Sequence, residues 1–109
     1  MGFWANLFGK GEPQPTAAEL KAAGAKVLDV RSRGEYQSGH VSGARSMDVG
    51  GADFANQVKR LNSRHTYVVY CQSGSRSGRA AGQMRAAGLT VVDGGGMSAM
   101  QRNGWTLGA

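Results

Sequence analysis

The chain has one cysteine, Cys71, and it stands where a nucleophile is useful. It follows Thr66-Tyr67-Val68-Val69-Tyr70, a run of β-branched and aromatic residues that reads as a strand. A polar loop, residues 71–76, comes next and contains Gln72, Ser73, Gly74, Ser75 and Arg76. An alanine-rich stretch from Ser77 to Ala87 then reads as a helix that stops at Gly88. Such a loop can curl until its backbone N–H groups converge into a nest for negative charge. The helix behind it directs its positive end at the same point, and Arg76 and Arg79 add two cations. All of these features favour thiolate over thiol, and the thiolate is the reactive form. A lone cysteine is more often a small buried hydrophobe; here the glycine-bearing loop, Arg76 and the strand-loop-helix setting weigh for a nucleophile.

Spacing narrows the chemistry. Cysteine phosphatases put five residues between Cys and Arg to wrap a phosphoryl group, whereas four separate Cys71 from Arg76. The tighter ring of amides suits a bound sulfur better, which disfavours a small phosphatase or arsenate reductase. Dithiol redox chemistry needs a resolving cysteine, and the chain has none. A single Cys also excludes an internal disulfide and a thiol-rich metal site, and His40 and His65 are not at ligand spacing. Neither a metal nor a cofactor is expected.

Thirteen Lys and Arg against seven Asp and Glu give +6, an affinity for anions that names no particular one. The basic residues neither cluster nor interleave with aromatics, so nucleic acid is not the expected partner. No apolar run approaches the ~20 residues of a membrane helix. The start, Met1 to Lys10, lacks the pattern of a secretory leader, and Asn6 stands where a myristoylation signal wants Ser or Thr. With a free thiol suited to a reducing compartment, the expected location is cytoplasmic.

The 109 residues fit one small domain. Residues 1–14 read as a flexible lead-in whose Phe3, Trp4, Leu7 and Phe8 could dock on a partner. Thr16 and Glu19 form a capping-box pattern for a helix ending before Gly24. Lys26 to Val30 reads as a buried strand, Arg31 to Gly39 as a loop with a helical turn, and residues 41–49 as irregular, with a short strand near Ser46-Met47. Asp53 is placed to cap a helix on which Phe54, Val58 and Leu61 share a face. Gly78 and Gly82 would let the helix after Cys71 lie close to the sheet. Thr90 to Asp93 is a further strand, and Met97 to Arg102 a short helix. Alternating strands and helices predict an α/β fold, a mostly parallel central sheet of about four to five short strands with helices on both faces. In such sheets ligands bind outside the carboxyl ends of the strands, which is where Cys71 falls.

Three blocks resemble the rhodanese family, in particular its single-domain thiosulfate sulfurtransferases. Residues 27–44, VLDVRSRGEYQSGHVSGA, resemble its Asp-x-Arg, Glu-Tyr and Gly-His-x-x-Gly-Ala signature. Residues 68–77, VVYCQSGSRS, resemble its six-residue loop with the nucleophilic Cys, and residues 91–100, VVDGGGMSAM, its C-terminal Gly-Gly motif. The resemblance runs from Pro15 to Trp105 and makes 15–109 a rhodanese-like domain. It implies that Cys71 takes a sulfane sulfur from thiosulfate or a similar small anionic donor and passes it to a thiol or cyanide, or to a protein acceptor. Gln72, Ser73, Gly74, Ser75, Arg76 and Ser77 are the implied substrate-binding positions, with Arg76 drawing in a dianionic donor. Asp29 and Arg31 are secondary, and slightly favoured as a structural ion pair fixing the loop. Glu35 is expected to support the site or cap a helix, His40 to be structural, His65 to be solvated, and Met97, Met100 and Trp105 to belong to the core. Arg33 and Ser42 stand where many relatives carry proline, and Met100 where Trp is common. None of the three is expected to touch the site.

Overall fold

A computed structural model describes residues 15–108. The proposed lead-in and its apolar docking residues lie outside them. Helix α1 (Ala17–Ala22) opens with the expected capping box: Thr16 Oγ1 accepts from the Glu19 N–H, and the Thr16 N–H donates to Glu19 Oε1 at 2.7 Å. Strand β1 (Lys26–Asp29) follows, then α2 (Arg33–Gln37), which has a second capping box between Ser32 and Glu35. Arg33 occupies the first turn of α2, where proline is favoured. The capping box secures that turn without it. The remaining elements are β2 (His40–Val41), β3 (Arg45–Ser46), α3 (Phe54–Lys59), β4 (Thr66–Tyr70), α4 (Ser75–Ala86), β5 (Thr90–Gly95), α5 (Met97–Arg102) and β6 (Leu107–Gly108).

Four strands form a parallel sheet in the order β3-β1-β4-β5, and β2 pairs antiparallel with β6. Side chains alternate across the sheet. Tyr67, Val69 and Cys71 face one side, with Phe54 and Val58 of α3 and Ala80, Ala81 and Met84 of α4. Val68 and Tyr70 face the other, with Leu20 of α1, Met100 of α5 and Trp105. Helices therefore cover both faces. Met97 is half-buried against the second cluster, and His65 is half-buried with its ring tilted against Tyr67.

Several local expectations change. Helix α4 begins at Ser75, two residues early, because Gly74 takes the N-cap with φ +106°, a conformation open to glycine. Close approach of α4 comes from Ala80 and Ala81; Gly78 and Gly82 lie on its exposed side. Asp53 makes no cap hydrogen bond and instead approaches Arg60 at 3.5 Å on the surface. Leu61 falls beyond α3 but still packs on the first cluster. Strand β3 starts one residue before the expected position, and β5 runs on to Gly95. The pair β2–β6 has too few residues for a sequence pattern.

Leu28, 1% exposed in a central strand, and Leu107, 49% exposed at the rim, test this division. Leu28→Ala is expected to cost ~2–5 kcal/mol in urea unfolding. Leu107→Ser is expected to stay within about 0.5 kcal/mol of the parent.

Candidate active site

Cys71 ends β4 with its backbone still held by the sheet: its N–H donates to the Gly95 carbonyl at 3.0 Å. The chain then leaves the sheet, and the Gln72 carbonyl accepts from the Met97 N–H at 3.1 Å. The turn between β5 and α5 thus supports the loop from below. Gly96 lies in that turn, where a Cβ would come within 2.7 Å of the Gln72 carbonyl oxygen and 3.0 Å of Ser73 Cα. Only a bare α-carbon fits there. This explains one glycine of the Gly94-Gly95-Gly96 run. Gly94 has a different task, making room for the buried Met100.

The cysteine is 0% exposed, beneath a loop whose Gln72, Ser73 and Ser75 are exposed. Its sulfur accepts from the Gly74 N–H at 3.0 Å and from the Ser77 N–H at 3.3 Å. Burial pushes the thiol up. The N–H groups of Ser77, Gly74 and Ser73, with the Ser77 hydroxyl, outweigh it and hold Cys71 below its ordinary value. The Ser77 hydroxyl lies 2.9 Å from the Gly74 carbonyl and has one proton to give, either to that carbonyl or to the sulfur. The converging amides expected from the sequence are present, and the thiolate is the form they favour.

Asp29 and Arg31 form a buried ion pair at 2.7 Å, with side chains 0% and 4% exposed. The guanidinium also donates to Gln72 Oε1 at 3.0 Å and to the Gly39 carbonyl at 2.6 Å. Asp29 in turn accepts from the Tyr70 hydroxyl at 2.6 Å, which accepts from the Val41 N–H at 2.9 Å. The bond to Asp29 raises Arg31 further, and burial with Asp29 raises the Tyr70 phenol. Among the described residues, Gln72 is the loop side chain that hydrogen-bonds to the pair. Either partner alone would be an uncompensated buried charge, which costs ~3–5 kcal/mol. This arrangement fits the structural reading of the pair.

Arg76 turns to Glu35 and forms two hydrogen bonds with its carboxylate, at 2.7 and 2.9 Å. The Arg76 bond and the Ser32 N–H hold Glu35 down to about 2. Asp48 also acts on the Arg76 charge. Arg79 is exposed and makes no ion pair among the described residues. His40 stacks on Tyr36 at 3.8 Å, and its Nδ1 meets the Tyr36 carbonyl at 2.9 Å, a packing role. Sequence reasoning missed the Tyr70 hydroxyl and the Glu35 partnership with Arg76. The first was hidden in an apolar run, and the second joins residues 41 apart.

The rhodanese-like domain family matches residues 12–102. The chain belongs to the rhodanese family. Thiosulfate sulfurtransferase 16, chloroplastic, of Arabidopsis thaliana is 37% identical over 100 residues, covering 81% of this chain and 83% of that one. Thiosulfate sulfurtransferase GlpE of Pseudomonas fluorescens is 33% identical over 80 residues, 73% of this chain and 72% of that one. The uncharacterized protein YqhL of Bacillus subtilis is 32% identical over 68 residues, a match spanning 52% of its length. Among solved structures, a rhodanese-related protein from Thermoplasma volcanium superposes with TM-score 0.71 at 26% identity, covering 87% of this chain and 96% of that one. A rhodanese with anions from E. coli gives 0.63 at 26% identity, over 77% and 96%.

Two measurements test this rhodanese site. Alkylation of Cys71 by iodoacetamide should rise with pH through a lower midpoint than the same thiol shows in the urea-unfolded chain, and Ser77→Ala should move that midpoint up. In a carbon-13 titration the Glu35 carboxyl should titrate at about 2. In Arg76→Gln it should move up towards the ordinary ~4.3. The folded-state value is depressed, so the pair contributes stability above the unfolded value and loses it as pH falls towards 2.

Proposed function

We propose that the protein is a sulfurtransferase that carries a sulfane sulfur on Cys71. The observation that supports this most is the buried Cys71 sulfur held by the Gly74 and Ser77 N–H groups at the head of α4. With thiosulfate as donor, the Cys71 thiolate attacks the outer sulfur. The sulfur–sulfur bond of the donor breaks, and sulfite leaves with the bonding electron pair. Cys71 then carries a persulfide, Cys71–S–S⁻. A thiol or cyanide attacks the terminal sulfur, the new sulfur–sulfur bond breaks, and the Cys71 thiolate returns. Both steps are displacements at sulfur, so rates follow the thiolate fraction and the acidity of the leaving group.

The loop's role is electrostatic. Its amides meet a negative sulfur in the resting thiolate, and fixed N–H groups in a dry site stabilise such charge without reorganising. Gln72, Ser73 and Ser75 are exposed over the buried cysteine and form the surface an incoming donor meets. Gly74 and Ser77 supply the N–H groups, and Arg76 fixes the loop to α2 through Glu35. Asp29 and Arg31 position Gln72 from behind. Relatives named thiosulfate sulfurtransferase support the donor class, and the same chemistry admits a small thiol, cyanide or a protein thiol as acceptor.

Intact mass tests the proposal. The purified protein and Cys71→Ser are treated with thiosulfate, and separately with glutathione hydropersulfide. A gain of one sulfur atom on the parent alone, removed by cyanide, is expected. No gain with either donor while the thiol remains free would overturn it.

A further inference from the structure

Cys71 occupies the carboxyl end of the parallel sheet, and the amino end holds a groove of about 580 Å³. Its floor is apolar, made by Val27 and Leu28 of β1 with Leu61 beyond α3. Its rim is basic and exposed. Lys21 comes from α1, Lys26 from β1, Arg45 from β3 and Arg60 from the end of α3, and half-buried His65 adds an imidazole just before β4. Among the described residues, none that lines the groove is acidic. Asp53 reaches the rim from outside, 3.5 Å from Arg60, with both side chains well exposed, and such a pair is weak. Register fixes part of the spacing. Lys26 pairs with Tyr67 of β4, and Leu28, two residues on, pairs with Arg45 of β3. Strand rise and spacing then put the α-carbons of Lys26 and Arg45 about 8 Å apart.

Two aromatic residues border the groove, and neither offers an open face. Tyr67 and Trp105 are buried, and Lys21 Nζ stands 5.2 Å from the centre of the Trp105 ring. The Tyr67 hydroxyl is engaged as well, donating to the Asn62 carbonyl and accepting from the Asn62 N–H, each at 3.0 Å. Single-stranded nucleic acid binds by stacking its bases on aromatic faces, which this groove does not provide. A compact phosphate is held by converging guanidinium forks or a nest of backbone N–H groups, whereas these four cations are exposed and come from four separate elements. Spread cations over an apolar floor suit an extended segment that mixes carboxylates with apolar side chains. The chain's own start is not complementary: residues 1–14 hold one carboxylate, Glu12, beside Lys10. A second copy would bring a further +6. We infer that the groove docks an acidic segment of a partner protein, with apolar side chains of that segment resting on Val27, Leu28 and Leu61. Tyr67 precedes Cys71 by four residues of β4, ~13 Å of extended chain, so a partner held at the amino end leaves the Cys71 loop uncovered. Docking there is independent of the sulfur chemistry at Cys71.

Fluorescence anisotropy on the full chain tests the docking. The probe is a fluorescein-labelled peptide of three Glu-Glu-Leu repeats, compared with its Gln-Gln-Leu counterpart and a heptathymidylate of equal charge. Thermal melting checks that each variant is folded. The acidic peptide should bind the parent, and its affinity should fall about fivefold or more between about 50 and 300 mM salt as the charges are screened. Lys26→Glu with Arg45→Glu should weaken it about tenfold or more, because like charges then meet. Lys26→Gln with Arg45→Gln is gentler on folding and should weaken it about three- to fivefold. Arg79→Glu changes the net charge by as much as the glutamine pair, on the exposed side of α4 and outside the groove. It should stay within about twofold of the parent, as a distant exposed charge is screened. Absence of binding by the acidic peptide, equal binding of the glutamine peptide, or unchanged affinity in the folded groove variants would overturn the inference. An equal loss in Arg79→Glu would do the same. Tighter binding of the heptathymidylate would also overturn it, making the groove a nucleic-acid site.

Discussion

A sulfur atom that must be negative and also buried needs hydrogen-bond donors that do not bring a mobile charge with them. Here the backbone provides them, and this requirement organises the carboxyl end of the sheet. The Gly74 and Ser77 N–H groups reach Cys71 Sγ because Gly74 adopts a left-handed conformation that ends the loop and starts α4 at once. The loop can stay that tight because the turn after β5 supports it, through the Gly95 carbonyl, the Met97 N–H and the bare α-carbon of Gly96. Desolvation alone would favour the neutral thiol. The direction of the Cys71 shift shows that the donors prevail.

A second, separate layer holds this arrangement to the rest of the domain. The hydroxyl of Tyr70, next to the cysteine, joins Asp29 of β1 to the Val41 N–H of β2. Arg31 extends the same network to Gln72 on the loop and to the carbonyl before β2. On the outer side, Glu35 caps α2 and grips Arg76 with the same carboxylate. Thus α2 and the loop after β4 share one residue, and the polar groups that could have drawn in anions serve as fasteners. No buried side-chain polar atom among the described residues lacks a partner.

Much of this was legible in the sequence. The strand Thr66 to Tyr70, the lone Cys after it and the glycine in the loop carry local signals, and the structure realises them directly. Capping boxes at Thr16 and Ser32 are encoded within four residues; the first is read with both partners, the second only as a capping role open to Glu35. What escaped depends on distant pairing. Nothing near Arg76 announces that its partner is Glu35, and nothing near Cys71 announces Gly96. The start of α4 was misplaced because a left-handed Gly74 serves as the cap where a polar side chain is the usual signal. The two-residue strands β2 and β6 exist only through each other.

The depth of the cysteine bears on how the protein would present its cargo. Cys71 itself has no exposed surface. A sulfur bonded to it stands one S–S length, about 2 Å, beyond Sγ. The empty and charged forms would therefore offer different outermost atoms: a roofed thiolate in one case and a projecting terminal sulfur in the other. On the proposed sulfurtransferase reading, an acceptor too large to enter beneath the loop would distinguish them by reach alone, and burial would keep the Cys71 sulfur from bulky oxidants.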